Sequence, residues 1–291
     1  MNASVRTDLK KITTFNKAVN HLKQHKAASI SLIILIILTL ASLFSNYISG
    51  YNPSTHGDLI LDRYAAPCTE HLFGTDKFGR DILSRVLFGG RISLLIAFSV
   101  VILSSAIGLV YGMVSAYFGG KTDQIMMRFL DFLLAFPIIF LLIMIIAMFR
   151  INHWYLIPIL GLTSWMEIAR LIRAEVLSIK ERDFILAARG MGFSNGRIIF
   201  KHILPNCIST IFVIAPLKIA EVILLESALS FLGIGIQPPT PSWGNIINDG
   251  REVLLSAWWI ATIPGLFITI TVLCFHLLAD GIKDLIHGRF N

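Results

Sequence analysis

The feature that most constrains this chain is a series of long apolar runs separated by short charged segments. A membrane hydrocarbon core ~30 Å thick is crossed by a helix of ~20 mostly apolar residues. Overall, 55% of the 291 residues are apolar and only 15% are charged, against ~45–50% and ~25% in a typical soluble chain. The sequence therefore predicts an all-α integral membrane protein with six transmembrane helices. The six stretches cover roughly 28–48, 92–118, 127–149, 154–174, 207–232 and 257–280.

The first apolar stretch has to be distinguished from a cleaved signal peptide. Its core holds about twenty apolar residues, more than the ~7–15 of a signal peptide, so we expect an anchor that is retained. Before it, apolar residues recur every three or four positions between lysines, which favours a helix lying on the membrane surface. A solvated basic leader is the alternative. The predicted organisation is a cytoplasmic basic amphipathic leader at 1–27, a first transmembrane helix at 28–49, an extracytoplasmic loop at 50–91, a helical core at 92–281 and a cytoplasmic tail at 282–291.

The placement of the basic residues predicts the orientation of the chain. Loops rich in Lys and Arg stay on the cytoplasmic side of a membrane. If the six stretches alternate in direction, both termini are predicted to be cytoplasmic, and the net charge of +7 reflects topology rather than nucleic-acid binding. Most of the 25 Lys and Arg residues then fall in the inner segments 1–27, 119–128, 170–206 and 281–291.

Motifs that would indicate catalysis or metal binding are incomplete. Gly119–Thr122 resembles the end of a phosphate-binding loop, but the earlier glycine that this motif requires is Ser115, and an apolar helix precedes it rather than a strand. A possible calcium loop over 76–81 has Phe78 and Arg80 where oxygen ligands are needed. The three cysteines and eight histidines are scattered singly, which indicates neither a disulfide framework nor a metal site. We predict no catalytic residue and no cofactor in this chain, so uphill transport would need another subunit or an ion gradient.

The segment 180–206, KERDFILAARGMGFSNGRIIFKHILPN, is the most informative part of the chain. It is the most basic inner segment, and it predicts helix, turn and helix, because its glycines permit sharp turns. Ala187 and Ala188 give the first short helix a smooth surface suited to contact with a partner protein. Pro205 suits the first turn of the next helix. A plain cytoplasmic connector is the alternative interpretation.

Charged residues inside the apolar stretches form a second group of candidates. An isolated charge in a span costs at least a few kcal/mol. Glu167 and the other charged residues within these stretches therefore need a partner or a function. Lys218 and Glu221 lie three residues apart on one helix face and can neutralise each other. Glu226 is the first candidate for a pathway or gate residue, followed by Glu221 and the kink-forming Pro216. A structural partner across a subunit interface is an equal alternative for Glu226.

The second apolar stretch carries small residues at four-residue intervals. Such a stripe lets another helix approach closely in a membrane, so it predicts helix packing. The stripe consists of Ser104, Gly108, Gly112 and Ala116.

The segment around Ala187, Ala188 and Gly192, with Leu204-Pro205 after it, resembles the coupling-loop motif of ABC importer permeases. In that family the loop inserts a short helix into a cleft on the ATPase subunit. Leu186 stands where the motif usually opens with an acidic residue, and His202 replaces an apolar residue. Both departures resemble the peptide-permease branch. The resemblance assigns coupling to Asp183, Ala187, Ala188, Gly192, His202, Leu204 and Pro205.

Two further segments resemble signatures of dipeptide, oligopeptide and nickel permeases. They are HLFGTDKFGRDILSRVLFGGRISL at 71–94 and SFLGIGIQPPTPSWGNIINDGRE at 230–252. With the coupling loop, the resemblance covers almost all of the chain past residue 27. The outer-loop positions that it marks are Gly74, Thr75, Asp76, Gly79, Arg80, Asp81, Pro238, Pro239, Trp243 and Gly244.

These two segments also have physical features of their own. We expect Arg80, Arg85 and Arg91 to pair with nearby carboxylates, and peptide contact is the alternative. Prolines stiffen the second segment, and Ser242 can cap a short helix after it. A rigid ledge that receives a solute-delivering protein and a well-ordered turn are both open. Residues of the type that favours the water–lipid boundary are Trp243, Trp258 and Trp259.

The resemblance implies the transmembrane domain of a type I ABC importer, in the C-type permease of a pair. It implies a multi-pass protein in the bacterial plasma (inner) membrane, surrounded by lipid. A homologous permease would complete the pathway, two ATP-binding subunits would carry ATP and magnesium, and an extracytoplasmic solute-binding protein would deliver di- or oligopeptides. It implies no nucleic-acid partner.

Three alternatives stay open from the sequence. A nickel or metal-chelate importer belongs to the same family. A stand-alone secondary transporter would usually show paired inverted halves, and no such symmetry is visible. A membrane-embedded enzyme would need a nucleophile or metal constellation within the spans, and none is found there.

Overall fold

A computed structural model describes residues 25–58, 60–148 and 153–287. In these ranges the chain consists of helices and loops, with a lone β-bridge between Thr75 and Asp81. Most of the leader predicted at 1–27 and the end of the tail predicted at 282–291 lie outside the described residues. The α-helices are α1 Lys26–Leu43, α2 Ser45–Ile48, α3 Ile82–Phe118, α4 Gly120–Leu134, α5 Ile138–Met148, α6 Leu156–Lys180, α7 Asp183–Gly190, α8 Asn195–Ile198, α9 Leu204–Phe231, α10 Trp243–Gly250 and α11 Trp259–His287.

Four helical stretches of the described chain are long and apolar enough to cross a membrane. They are Lys26–Leu43, Ile82–Phe118, Asn195–Phe231 and Trp259–Leu285. A fifth candidate consists of α4 with Ile138–Ile146, two helices that meet at a bend of 73°. The all-helical membrane architecture is therefore confirmed. The stretch predicted at 154–174 forms α6, but Glu167, Arg170 and Arg173 exclude it from the apolar candidates, so six spans stay a prediction.

Two predicted boundaries differ from the structure. The second span was expected from residue 92, but α3 begins at Ile82, because the Asp81 carboxylate accepts a hydrogen bond from Ser84 N at 2.7 Å and caps the helix. The third span was expected as one helix over 127–149, but it breaks after α4. Pro137 lies at this break, and its missing N–H cannot continue the helical ladder.

Helices α3 and α6 form the most extensive contact of the described chain, and the stripe of small residues lies in it. The four residues of the stripe are buried. A Cβ atom added to Gly108 would lie 2.8 Å from Ile168 Cβ, and one added to Gly112 would overlap the carbonyl oxygen of Ala169. The predicted role of the stripe in helix packing is confirmed.

Replacing Gly112 by alanine is expected to destabilise the protein by about 1–3 kcal/mol, because overpacking forces α3 and α6 apart. Gly265→Ala in α11 is the matched control, since a Cβ atom there meets nothing within 4 Å. Both variants share the helix propensity of alanine, which is about 1 kcal/mol more favourable than that of glycine, so they differ only in the overlap at Gly112. Thermal unfolding of both variants in detergent checks this, and equal melting temperatures would contradict the packing role.

Two hydrophobic clusters position the candidate sites. The larger cluster joins α1, α3, α9, α10 and α11, with Trp243 and Trp259 in it. The second joins α3 and α6 to the short helices that follow α6, through buried Ile185, Ala188 and Ile198. The segment at 180–206 is therefore seated on the ends of two long helices.

Candidate functional site

The two signature segments meet at the N-terminal end of α3 in a cluster of ion pairs, called here the ion-pair network. It consists of Asp76, Lys77, Arg80, Arg85 and Asp249. Arg80 Nε lies 2.6 Å from Asp76 Oδ2, and Arg85 contacts the same carboxylate. Asp249 Oδ2 accepts from Arg80 Nη2 at 3.3 Å and from Arg85 Nη2 at 3.1 Å. Lys77 Nζ lies 3.3 Å from Asp249 Oδ1.

The expected pairing of the arginines is confirmed for Arg80 and Arg85, but it is not purely local. Asp249 comes from the other signature segment and was not singled out from the sequence, because nothing local indicates its partners. The Cζ atom of Arg91 lies 5.9 Å from the centroid of the Phe88 ring. Asp81 contributes instead to the α3 cap and lies 3.0 Å from His71 Nδ1.

The centre of the ion-pair network is buried. The side chains of Asp76, Arg80 and Arg85 are 1%, 6% and 3% exposed. Burial raises the pKa of the Asp76 carboxyl, but the Arg85 and Arg80 guanidinium groups and the backbone N–H groups of Phe78 and Arg80 outweigh this effect. The pKa therefore lies below its ordinary value of 3.8. Asp76 stays ionised at neutral pH and holds two buried arginines in place.

Backbone turns and tryptophans complete this end of the molecule. Gly74 has φ +72°, and a Cβ atom there would lie 2.6 Å from Trp259 Nε1. Trp259 Nε1 donates to the carbonyl of Thr75 at 3.1 Å, and Trp243 Nε1 donates to that of Val86 at 2.9 Å. Trp243 and Trp259 are buried in the protein, so of the three tryptophans predicted at the lipid boundary only Trp258 is exposed.

The cap predicted at Ser242 is confirmed. The Ser242 hydroxyl accepts from Asn245 N at 3.3 Å, and Asn245 Oδ1 accepts from Ser242 N at 2.9 Å, which forms a capping box. A Cβ atom at Gly244 would lie 2.8 Å from Ser230 Cβ, so α10 packs closely on α9. Pro238 and Pro239 are exposed in the preceding loop, and Gly79 forms a turn with φ +68°.

At the other end of the molecule, residues 183–198 form a loop of two short helices, called here the α7–α8 loop. Gly192 ends α7 with φ +75°. Its N–H donates to the Arg189 carbonyl at 2.9 Å, and Phe193 N donates to the Ala188 carbonyl at 3.1 Å. This pair of bonds is a Schellman motif, which needs a residue in the left-handed region. Gly192 therefore fixes the turn between the two helices.

The two alanines of this loop do not share a surface. Ala188 is 2% exposed and faces the second hydrophobic cluster, whereas Ala187 is exposed. Adjacent helical residues point about 100° apart, so one face packs on the core while the other stays open. The open side of α7 and its end also carries Asp183 and the large apolar side chains of Phe184, Leu186 and Met191.

His202 and Pro205 lie where α8 leads into α9. His202 belongs to a π-helical turn over Ile199–Ile203, and its ring centroid lies 6.1 Å from that of Phe184. Pro205 occupies the first turn of α9, after the half-buried Leu204. Asn206 Nδ2 donates to the His202 carbonyl at 2.7 Å. Such π-turns occur frequently at functional sites.

Polar contacts tie this end of the chain to α3. Lys180 Nζ donates to the carbonyls of Ala116 and Tyr117, at 2.8 and 3.0 Å, and so satisfies the end of α3. The Tyr117 hydroxyl donates to Asn195 Oδ1 at 2.8 Å. Arg173 makes two hydrogen bonds of 2.6 Å to the Asp123 carboxylate. The α7–α8 loop therefore contacts α3 directly through Asn195, the first residue of α8.

The structure places Glu226 inside the chain. Its side chain is fully buried, and its carboxylate accepts from Ser93 Oγ at 2.9 Å and from Ser230 Oγ at 2.7 Å. Ser230 Oγ in turn accepts from Ile236 N at 3.0 Å. Glu226 thus joins α3, α9 and the loop before α10. Pro216 is buried within α9, which continues past it without a break.

A second charged group lies midway along α6 and α9 and is called here the mid-helix triad. It consists of Glu167, Lys218 and Glu221. Lys218 Nζ lies 2.7 Å from Glu221 Oε2 and also contacts Glu167 Oε2. The expected pairing of Lys218 with Glu221 is confirmed. The contact with Glu167 required the packing of α6 on α9, which the sequence alone does not show.

In the described ranges, no three His, Cys, Asp or Glu side chains are placed to hold a metal ion. These groups can position helices and contact other molecules. The buried ion-pair network lies at one end, the α7–α8 loop packs against α3 and α6 at the other, and the exposed mid-helix triad lies between them.

Two family models match the chain. A family model described as "Binding-protein-dependent transport system inner membrane component" matches residues 108–291. A second, described as "N-terminal TM domain of oligopeptide transport permease C", matches residues 13–67.

Curated relatives cover nearly the whole chain. The oligopeptide transport system permease protein OppC of Haemophilus influenzae is 40% identical over 269 residues, 91% of this chain and 86% of the relative. A putative peptide transport system permease protein of Brucella abortus is 40% identical over 92% of this chain and 90% of its own length. A putative peptide permease of Brucella suis is 38% identical over 94% and 90%. The chain therefore belongs to the family of binding-protein-dependent transport system inner membrane components.

Proposed function

We propose that the chain is the C-type permease subunit of an ATP-driven peptide importer in the bacterial plasma (inner) membrane. The observation that carries this proposal is the 40% identity to an oligopeptide permease over 91% of the chain. In the proposal the chain crosses the membrane six times, with α6 as the fourth span and both termini in the cytoplasm. A homologous permease forms the other half of the pathway.

The α7–α8 loop is proposed as the contact with the ATP-binding subunits. Its buried side is fixed to α3 and α6, while its open side presents Phe184, Leu186 and Met191 at 43%, 53% and 65% exposure. Large apolar side chains exposed on a short, well-anchored helix are suited to a protein interface. ATP and magnesium are bound by the two partner ATPases, whose closure moves this loop and thereby the long helices.

The opposite end is proposed as the surface that receives the solute-binding protein. The ion-pair network and the capping box fix the two signature segments against each other, so this end offers a rigid surface. Lys77 is 40% exposed at its edge. Rigid surfaces bind with a smaller loss of conformational entropy than mobile loops do.

Reconstitution tests the proposal. The chain is inserted into liposomes with its companion permease and two ATPases, and the binding protein loaded with a radiolabelled oligopeptide is added outside. We expect peptide uptake that requires ATP inside and requires this chain. Liposomes that lack this chain are the control. Uptake driven by an ion gradient without the ATPases would contradict the proposal and favour a secondary transporter.

A further inference from the structure

The mid-helix triad lies at the centre of two helices proposed to cross the membrane. Glu167 is the twelfth residue of α6, which has 25 residues, and Lys218 is the fifteenth of α9, which has 28. At 1.5 Å per residue, Glu167 lies about 17 Å from the nearer end of its helix. The triad therefore lies away from the ends of both helices, within the proposed spans.

Both carboxylates of the triad are open to the surroundings of the chain. The Glu167 and Glu221 side chains are 61% and 57% exposed, whereas Lys218 between them is 15% exposed. Two carboxylates and one ammonium leave one net negative charge on this surface. Lys218 donates to both carboxylates, and each carboxylate keeps oxygen lone pairs free for a further donor.

Lipid is an unsuitable neighbour for such a surface, because charged side chains at the bilayer centre face a bundle interior or a water-filled cavity. The chain has a different surface that suits lipid or apolar packing. A groove of about 590 Å³ between α1, α3, α9 and α11 is lined almost entirely by apolar side chains. Helix α9 contributes Phe212, Ala215, Pro216 and Ile219 to this groove, whereas Lys218 and Glu221 do not line it. The charged surface and the apolar surface are therefore different sides of the chain.

The charged surface continues along α6. Arg170, one turn after Glu167, pairs with Asp131 of α4 at 2.6 Å, and both side chains are more than half exposed. Residues three apart lie on the same helix face. The face of α6 between α4 and α9 is therefore charged from its middle towards its C-terminal end, as the wall of an aqueous vestibule would be.

We propose that the mid-helix triad lies on the wall of the translocation pathway, where Glu167 and Glu221 present a net negative charge to the cationic groups of a passing peptide. This inference rests on the proposed importer function and adds a specificity-determining contact to it. Glu226 is fully buried and is not part of this exposed surface.

Accessibility of the position to water is tested first. Glu221→Cys is made in a Cys68→Ser background, since Cys68 is exposed while Cys207 and Cys274 are buried. The reconstituted importer is treated with a charged, membrane-impermeant thiol reagent. We expect labelling of Glu221→Cys and none of Ile102→Cys, an exposed position on the apolar side. Equal failure of both positions to react would overturn the placement on the pathway.

Charge selectivity is tested with Glu167→Gln/Glu221→Gln in the complete importer. Uptake rates are measured at saturating binding protein for oligopeptides that differ only in net charge. We expect the wild type to favour cationic peptides and the double variant to lose that preference several-fold. Asp280→Asn, an exposed residue of α11 outside the triad, is the matched control. An unchanged preference in the double variant would overturn the inference, while absent uptake by the wild-type importer would overturn the proposed function itself.

Discussion

Replacing Asp76 by alanine is expected to reduce the free energy of unfolding by about 3–5 kcal/mol, because removing one partner of a buried ion pair leaves uncompensated charge behind. Arg80 and Arg85 both contact this carboxylate, and neither side chain is more than 6% exposed. Asp249 would remain as their partner, at 3.3 and 3.1 Å. Denaturant unfolding in detergent at pH 7 measures the loss. Glu252→Ala, in an exposed ion pair, is the control and should change stability by less than about 1 kcal/mol.

The same carboxylate predicts the pH dependence of stability. Because its pKa in the folded protein is lowered below 3.8, its contribution is complete above that value and is lost as pH falls through the folded pKa. The wild-type protein should therefore keep the stabilising contribution of Asp76 between pH 7 and 5. The difference in free energy of unfolding between the wild type and Asp76→Ala should decrease only in stronger acid. Loss of this free-energy difference already at pH 5–6 would contradict the lowered pKa of Asp76.

Replacing Gly192 by valine is expected to weaken the association of the ATPases and to reduce peptide uptake. The left-handed conformation costs an L-residue roughly 1–2 kcal/mol, and more when the side chain is β-branched. A free-energy difference of 1.4 kcal/mol changes an equilibrium constant about tenfold. The population of the native turn after α7 would therefore fall about tenfold or more. We expect uptake to fall by a similar factor, with weaker association of the ATPases. Uptake and pull-down of the ATPases from one preparation measure both.

Gly196→Val is the matched control for this variant. Both glycines have open space around them, but a positive φ occurs at Gly192 and not at Gly196. A steric effect on the ATPase would affect both variants, whereas backbone strain affects Gly192→Val alone. Equal loss in both would favour a surface contact, and normal uptake in Gly192→Val would remove the coupling role of this turn.

Local sequence chemistry predicted the features that depend on neighbouring residues. The apolar runs predicted the helices, the small-residue stripe predicted the close approach of another helix, and Ser242 predicted a helix start. Each of these follows from contacts within a few residues or from the period of one helix. The break after α4 was within reach as well, since Pro137 lies at it, but the length of the apolar run favoured a single span.

Contacts between distant segments could not be predicted in the same way. Asp249 is separated from Arg85 by 164 residues, and its partners depend on how α10 packs against α3. Glu226 was singled out because its charge lies in an apolar stretch, and its contact with Ser93 of α3 depends on tertiary packing. The partner of Lys218 on α6 likewise depends on the angle between two helices, which the sequence pattern does not set.

The length of α3 has a mechanical consequence. Its 37 residues extend about 55 Å at 1.5 Å per residue, further than a bilayer core is thick. Its first turn carries Arg85 of the ion-pair network, and its last carbonyls are held by Lys180 beside the α7–α8 loop. One unbroken rod therefore joins both ends of the molecule, so a tilt imposed at one end displaces the other end in the opposite direction, as in a lever.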